Sequence, residues 1–188
     1  EFDTPVMHAA RVAVIGGGNV AMDAARVARR LGAKVSLIYR RGEEEMPARR
    51  AEVVHAKEEG IEFVTCANPT RILGEGCVTG IECVRMSLCD IDASGRRSPE
   101  PIRGSEFTLD VDMVIQAIGT SPNPLLVSLI PGLERARRGN VVVDEDGRTS
   151  IPHVYAGGDI ATGAATVIEA MGSAKRAAAA INAMLKAE

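Results

Sequence analysis

The run RVAVIGGGNVAMDAARVARRLG, Arg11 to Gly32, constrains the fold more than any other part of the chain. Arg11 to Ile15 has the β-branched character of a buried strand and stops at three consecutive glycines. Val20, Ala24, Val27, Ala28 and Leu31 then recur at helical spacing. A strand, a tight turn and a helix in that order make the first half of a βαβ unit, whose next strand must run parallel to the first. Gly32 stands where a helix-ending glycine belongs, and KVSLIY, Lys34 to Tyr39, supplies the second strand through a right-handed crossover. Beyond Met46-Pro47, ARRAEVVHAKEEG reads as a surface helix closed by Gly60, and IEFVTC returns to the sheet. Composition agrees with this reading. With 46% hydrophobic residues, 3% aromatics and no Trp, the core must be built of Val, Ile, Leu, Ala and Met, as in parallel α/β proteins.

From Arg71 to Asp110 short strand patterns alternate with tight turns, which predicts an antiparallel meander inserted into the parallel fold. MVIQAIG, Met113 to Gly119, is a buried strand that rejoins the sheet before the breaker-rich TSPNP. The expected organisation is one domain over 6–122 and a second segment over 123–188. That segment holds NVVVDEDGRTS with a turn at Asp146-Gly147, a strand at HVYAGGD and a long helix from Ala164 to Lys186. The helix carries an apolar stripe of Val167, Met171, Ala174, Ala178, Ile181 and Leu185, continuous enough to need a partner surface. The first domain or a second copy of the chain could supply that surface, so a homodimer is one expectation.

Gly16-Gly17-Gly18-Asn19-Val20-Ala21 has the form GxGxxA, placed as a dinucleotide fingerprint should be, with a strand before it and a helix after. This makes the first domain a Rossmann-like dinucleotide-binding fold. Gly16 allows the tight turn, Gly18 lets backbone approach a pyrophosphate, and Ala21 keeps the helix close to the strand. The helix start then faces the anion with unpaired amides and about half a positive charge. Asp23 is expected in the first helical turn, favouring the dipole. Where an NAD site would carry an acid about twenty residues on, this chain has Tyr39-Arg40-Arg41. Two guanidinium groups there can grip a 2′-phosphate, which selects NADPH over NADH. The competing reading is that Arg40 and Arg41 neutralise Glu43, Glu44 and Glu45 on a solvated turn. Tyr155-Ala156-Gly157-Gly158-Asp159 ends a strand with a carboxylate before a small-residue helix start; read by itself, it is either a phosphate or ribityl clasp or a plain turn.

Other chemistry is excluded. A net charge of −3 gives no reason for nucleic acid or an anionic membrane as partner. Cys66, Cys77, Cys83 and Cys89 form no CxxC pair, so a metal site and a redox disulfide are both disfavoured, and a reduced, cytoplasmic protein is expected. No apolar run is long enough to span a membrane. His8, His55 and His153 are scattered, and no nucleophile elbow occurs. No catalytic acid, base or nucleophile is therefore nominated.

Taken together, RVAVIGGGNVAMDAAR, YRRGEEEMPAR, MVIQAIGTSPN and VYAGGDIATGAATVIEAMGSAKRAA resemble the small (beta) subunit of NADPH-dependent glutamate synthase and its relatives. Those relatives include the electron-entry part of dihydropyrimidine dehydrogenase and the adrenodoxin-reductase-like flavoproteins. The resemblance covers nearly the whole chain. It implies that Gly16, Gly17, Gly18, Asn19 and Val20 bind the NADPH pyrophosphate and that Arg40 and Arg41 hold its 2′-phosphate. It further implies that Ala117, Ile118 and Gly119 lie near the nicotinamide, and that Gly158 and Asp159, with Thr166 and Val167 beyond, contact FAD. Hydride would pass from NADPH to FAD, and electrons onward through iron–sulfur clusters to the glutamate synthase large subunit or another acceptor. A complete member carries an earlier FAD-binding GxGxxG and cluster cysteines, and this chain has neither. The resemblance thus makes 123–188 the C-terminal segment of an FAD-binding domain with a partial FAD site. The N-terminal half of that domain, and the clusters, would belong to missing parts or a partner, and Phe2 to Pro5 would be an interdomain link. A ferredoxin:NADP transhydrogenase-like subunit shares these motifs. Outside the class stand a non-catalytic NADP-binding module or inactive fragment, and an α/β interaction domain.

Overall fold

A computed structural model describes residues 6–91 and 95–187; the segment Phe2 to Pro5 lies outside the described residues. The chain divides into two compact units, one running to Ile118 and the other from Gly119.

In the first unit β1 (Arg11–Ile15), α1 (Asn19–Arg30) and β2 (Lys34–Tyr39) form the βαβ unit. The two strands are parallel, Arg11 lying opposite Lys34 and Ile15 opposite Ile38. After α2 (Arg50–Glu58), β3 (Glu62–Thr65) adds in parallel to β2. The chain then leaves the sheet to make an antiparallel meander of β4 (Ala67–Leu73), β5 (Gly80–Ile91) and β6 (Arg97–Leu109). It returns as β7 (Met113–Gln116), parallel to β1 on its other side, giving the order β3-β2-β1-β7. The architecture is mixed α/β, a parallel sheet with an antiparallel insertion.

The period of two along β1 explains the layering. Val12 and Val14 point to one face and pack with Ala21, Met22 and Ala25 of α1 and with Val53 and Ala56 of α2. Ala13 points to the other face, where Ile38, Ala67, Ile81, Cys83 and Val111 gather. A sheet covered on both faces needs strands that are apolar at every position, and for that reason β1 and β2 show no polar alternation. Fully burying a side chain such as Met22 or Leu37 contributes about 1.5–3 kcal/mol. Arg26 joins the two helices, reaching Glu52 at 2.6 Å and Glu59 at 2.9 Å, while Arg30 adds a second bond to Glu59 at 2.6 Å.

Three local expectations are corrected in this unit. The first turn of α1 holds no acidic residue, because the helix starts at Asn19 and Asp23 falls one position beyond that turn. The turn expected to be solvated at the glutamate run is a short 3₁₀ turn, Glu43–Glu45, in which Glu45 is buried. The strand expected to run on through Cys66 stops at Thr65, since Cys66 takes a left-handed φ of 49° and redirects the chain into β4.

The second unit contains α3 (Pro124–Ser128), α4 (Asp159–Thr162) and α5 (Val167–Ala187). The strands expected at NVVVDEDGRTS and HVYAGGD shrink to isolated bridges, Arg135 with Val141 and Arg148 with Tyr155. Asp144 Oδ1 accepts from the backbone N–H of Asp146 at 2.9 Å and of Arg148 at 2.8 Å, diverting donors that a ladder would use. The buried face of α5 is Ser173, Ala177 and Ala180, not the expected stripe; Val167 is 76% exposed and Leu185 61%. The reason is close backbone approach. A Cβ on Gly157 would lie 3.1 Å from Ala174 atoms and one on Gly147 would lie 2.8 Å from Ala177, so the helix turns its small residues to that loop. Among the described residues no helix is long and apolar enough to cross a membrane, and no His, Cys, Asp and Glu cluster could hold a metal ion.

Candidate functional site

The glycine turn sits at the carboxyl end of β1, between β2 and β7, where the strand order reverses. In open α/β sheets that point is the crevice that takes ligands. Each glycine there has a different reason. Gly16 has φ 141°, its N–H donates to the Ile38 carbonyl at 3.0 Å, and a Cβ would collide with the backbone oxygen of Ala117. At Gly17 a Cβ would lie 2.6 Å from carbons of the Tyr39 ring. Gly18 is different. Its backbone is extended, with φ −90° and ψ 177°, and a Cβ would meet no protein atom within 4 Å. Packing therefore requires the first two glycines and leaves the third unexplained.

Gly18 is the N-cap of α1, and no side chain caps the helix. Its carbonyl accepts from Ala21 at 3.0 Å and Met22 at 3.2 Å. Among the described residues nothing accepts from the amides of Asn19 and Val20, which leaves them, with the positive end of the helix dipole, for an anion. The Asn19 side-chain oxygen is occupied, accepting from the Arg49 N–H at 2.9 Å, and the Gly17 carbonyl accepts from Ala48 at 3.1 Å. These two bonds tie the turn to the segment entering α2. The exposed Val20 side chain joins Val6, Val27, Leu31, Met113 and Ile115 along an apolar groove of about 410 Å³ that none of the three glycines lines.

At the end of β2 the two arginines part company. Arg40 is exposed, and among the described residues its guanidinium has no partner. Arg41 is only 4% exposed; its Nε donates to the Arg97 carbonyl at 2.8 Å and its own carbonyl accepts from the Cys66 N–H at 2.9 Å. The glutamates that follow are largely engaged. Glu43 pairs with Lys57 at 2.6 Å and Glu45, 8% exposed, with Arg97 at 2.5 Å, while Glu44 is exposed. Among the described residues the glutamate run takes its cations from Lys57 and Arg97.

Ala117 follows β7, and its N–H donates to the Ile15 carbonyl at 2.8 Å, which holds its own carbonyl against Gly16. Ile118, 69% exposed, ends the first unit, and Gly119 begins the second with φ 86°. Within the second unit Gly158, with φ 75°, caps α4 and donates its N–H to Ser173 Oγ at 2.7 Å. The Asp159 side chain is exposed, and its carbonyl accepts from the Asn140 side chain at 3.0 Å. Thr166 and Glu169 form a capping box at the start of α5. Glu169 Oε2 accepts from the Thr166 N–H at 3.0 Å and from its hydroxyl at 2.8 Å, and Thr166 Oγ1 accepts from the Glu169 N–H at 3.3 Å. The Thr166 backbone N–H, and then its hydroxyl, lower the Glu169 pKa below the usual carboxylate range. Val167 begins the helix and is exposed.

The structure thus brings Gly16, Gly17, Gly18, Asn19, Val20, Arg40 and Ala117 to one sheet end, and it turns Arg41 into the protein. Sequence reasoning missed Glu45 and Arg97, which hold the segment after β2, and Ser173, which holds the Gly158 turn. It also missed the capping box, although Thr-Val-Ile-Glu is its sequence signature.

The family described as pyridine nucleotide-disulphide oxidoreductase matches residues 3–182. The chain is 47% identical over 186 residues to the NADP(+)-dependent formate dehydrogenase subunit beta of Moorella thermoacetica, covering 97% of this chain and 26% of that protein. It is 43% identical over 180 residues to the glutamate synthase [NADPH] small chain of Azospirillum brasilense, covering 94% and 37% respectively. The solved thioredoxin reductase of T. acidophilum superposes with a TM-score of 0.74 at 29% identity, over 91% of this chain and 51% of that one. The chain therefore spans between about a quarter and two fifths of the length of these curated relatives.

Proposed function

This chain belongs to the pyridine nucleotide-disulphide oxidoreductase family, and from that premise we propose that its first unit binds NADPH as the reductant of a flavin-dependent oxidoreductase. The observation that carries the reading is Gly18, a glycine for which the protein's own packing gives no reason and which stands beside amides with no acceptor. A pyrophosphate seated there supplies both. Gly16 and Gly17 shape the turn, Asn19 locks it to the segment entering α2, and Val20 contributes its backbone amide. Arg40 takes the 2′-phosphate, and Arg41, bound to the Arg97 carbonyl, supports the loop that presents it. Ala117, Ile118 and Gly119 lie beside the nicotinamide. Gly158, Asp159, Thr166 and Val167 furnish part of an FAD site.

When bound, the nicotinamide and flavin supply the hydride chemistry, and the protein supplies binding and orientation. No acid–base side chain is assigned a catalytic role. Electrons would then continue through iron–sulfur clusters to a glutamate synthase large subunit or another acceptor. A cytoplasmic setting goes with the reading, since the four free thiols persist in a reducing compartment.

Calorimetric titration of the chain with NADPH and NADH at low salt tests the proposal. One charge-assisted phosphate contact of about 1.5–3 kcal/mol gives NADPH at least about a tenfold advantage, which Arg40→Ala removes. Equal affinities in the wild-type chain would refute it.

A further inference from the structure

Of the polar groups in the first unit, the Glu45 carboxylate is the most unusual. It is 8% exposed, its Oε1 accepts from Arg97 Nε at 2.5 Å, and its Oε2 is buried with no hydrogen-bond partner. The Oε2 atom fills the space beside Gly42, where a Cβ would lie 2.6 Å from it. Tyr39 adds a second tie, its hydroxyl donating to the Glu45 carbonyl at 2.9 Å. A buried carboxylate is costly unless paired, and removing Arg97, its cationic partner among the described residues, leaves it uncompensated.

The partner comes from far along the chain. Arg97 opens β6, and it grips the loop after β2 twice: its guanidinium holds Glu45, and its carbonyl accepts from the buried Arg41 guanidinium at 2.8 Å. Arg40 stands between Tyr39 and Arg41, each of them tied down. The exposed arginine is therefore presented by a segment that the meander holds at both Arg41 and Glu45 as the chain leaves β2.

Resting on the NADPH reading above, we infer that Arg97 and Glu45 form a positioning pair for cofactor selection: the antiparallel insertion sets where Arg40 stands and so sets the preference for a 2′-phosphate. Without Arg97 the Glu45 carboxylate leaves its buried place for water, the Glu43–Glu45 turn opens, and Arg40 is no longer held. Among the described residues the turn at Gly16 to Gly18 has no hydrogen bond to the side chain of Arg97 or Glu45; it is tied instead by the Ala48 and Arg49 amides and the Tyr39 ring, and it keeps its shape as long as β2 and the segment entering α2 do.

The test is a double-mutant cycle on the full chain, with NADPH and NADH affinities measured for wild type, Arg97→Ala, Arg40→Ala and the double variant. Arg97→Ala is expected to weaken NADPH about tenfold and leave NADH within about twofold, with no further loss of NADPH affinity in the Arg40→Ala background. Arg97→Lys, which keeps a cation for Glu45, restores most of the preference. Should Arg97→Ala fail to fold, Glu45→Gln, which removes the charge at constant shape, must still lower NADPH affinity selectively. Equal losses for both nucleotides, or losses that add to those of Arg40→Ala, overturn the inference while leaving the NADPH site standing. A wild-type chain with no preference refutes the proposed function instead, and the inference with it.

Discussion

Gly18→Val separates the two jobs a glycine can do. A side chain there meets no protein atom within 4 Å, and φ −90° with ψ 177° suits any residue. The one folding cost is the poorer N-cap, about 0.5–1 kcal/mol. In a chain of this size that moves the melting temperature by about 1–4 °C. Binding should respond far more strongly. The added carbons occupy the space through which the amides of Asn19 and Val20 reach an anion, and losing two charge-assisted bonds of about 1.5–3 kcal/mol each removes two or more decades of affinity. Gly16→Ala is the opposite case. Its Cβ would strike the Ala117 carbonyl, and φ 141° is unfavourable for any side chain, so strain of about 1–3 kcal/mol falls on the fold itself. Thermal melts read the first effect and titration by nicotinamide fluorescence reads the second. A Gly18→Val chain that melts like wild type and binds NADPH with unchanged affinity would show that no ligand uses this turn, and the proposed function would fall.

Thr166→Ala removes half of the capping box at the start of α5 and should destabilise the second unit by about 1 kcal/mol, seen as faster amide exchange in the first turns of that helix. Arg30, then Arg26, hold the Glu59 carboxyl down to about 2 from an ordinary 4.5. A depressed folded pKa contributes stability that is fully present above about 4.5 and is lost as the pH falls toward 2. Chemical denaturation across that window should therefore show a loss at low pH that Glu59→Gln flattens; an unchanged slope in the variant would remove Glu59 from the account.

What could be read in the sequence was whatever repeats locally. Val12, Ala13 and Val14, three glycines and the helical recurrence of Ala21, Ala25 and Ala28 announce strand, turn and helix without outside help. The meander was legible through its turns, and the crevice of the candidate site through the position of the glycines between strand and helix. The errors occur where a distant partner decides. Arg40 and Arg41 are chemically the same side chain one residue apart, yet just past the end of β2 Arg40 is exposed and Arg41 is buried, with a carbonyl 56 residues away accepting its Nε–H. No window around YRRGEEE contains that carbonyl. Helix α5 shows the same dependence in another form: its large apolar residues advertise a buried face, but the loop carrying Gly147 and Gly157 approaches so closely that only Ala and Ser fit beneath it. A periodic pattern reports which residues prefer to leave water; the backbone that reaches the helix first decides which of them do. In this chain that distinction sets a buried arginine behind an exposed one, with a carbonyl outside its own stretch of sequence holding it, while the glycine at the mouth of the sheet finds no packing reason among the described residues.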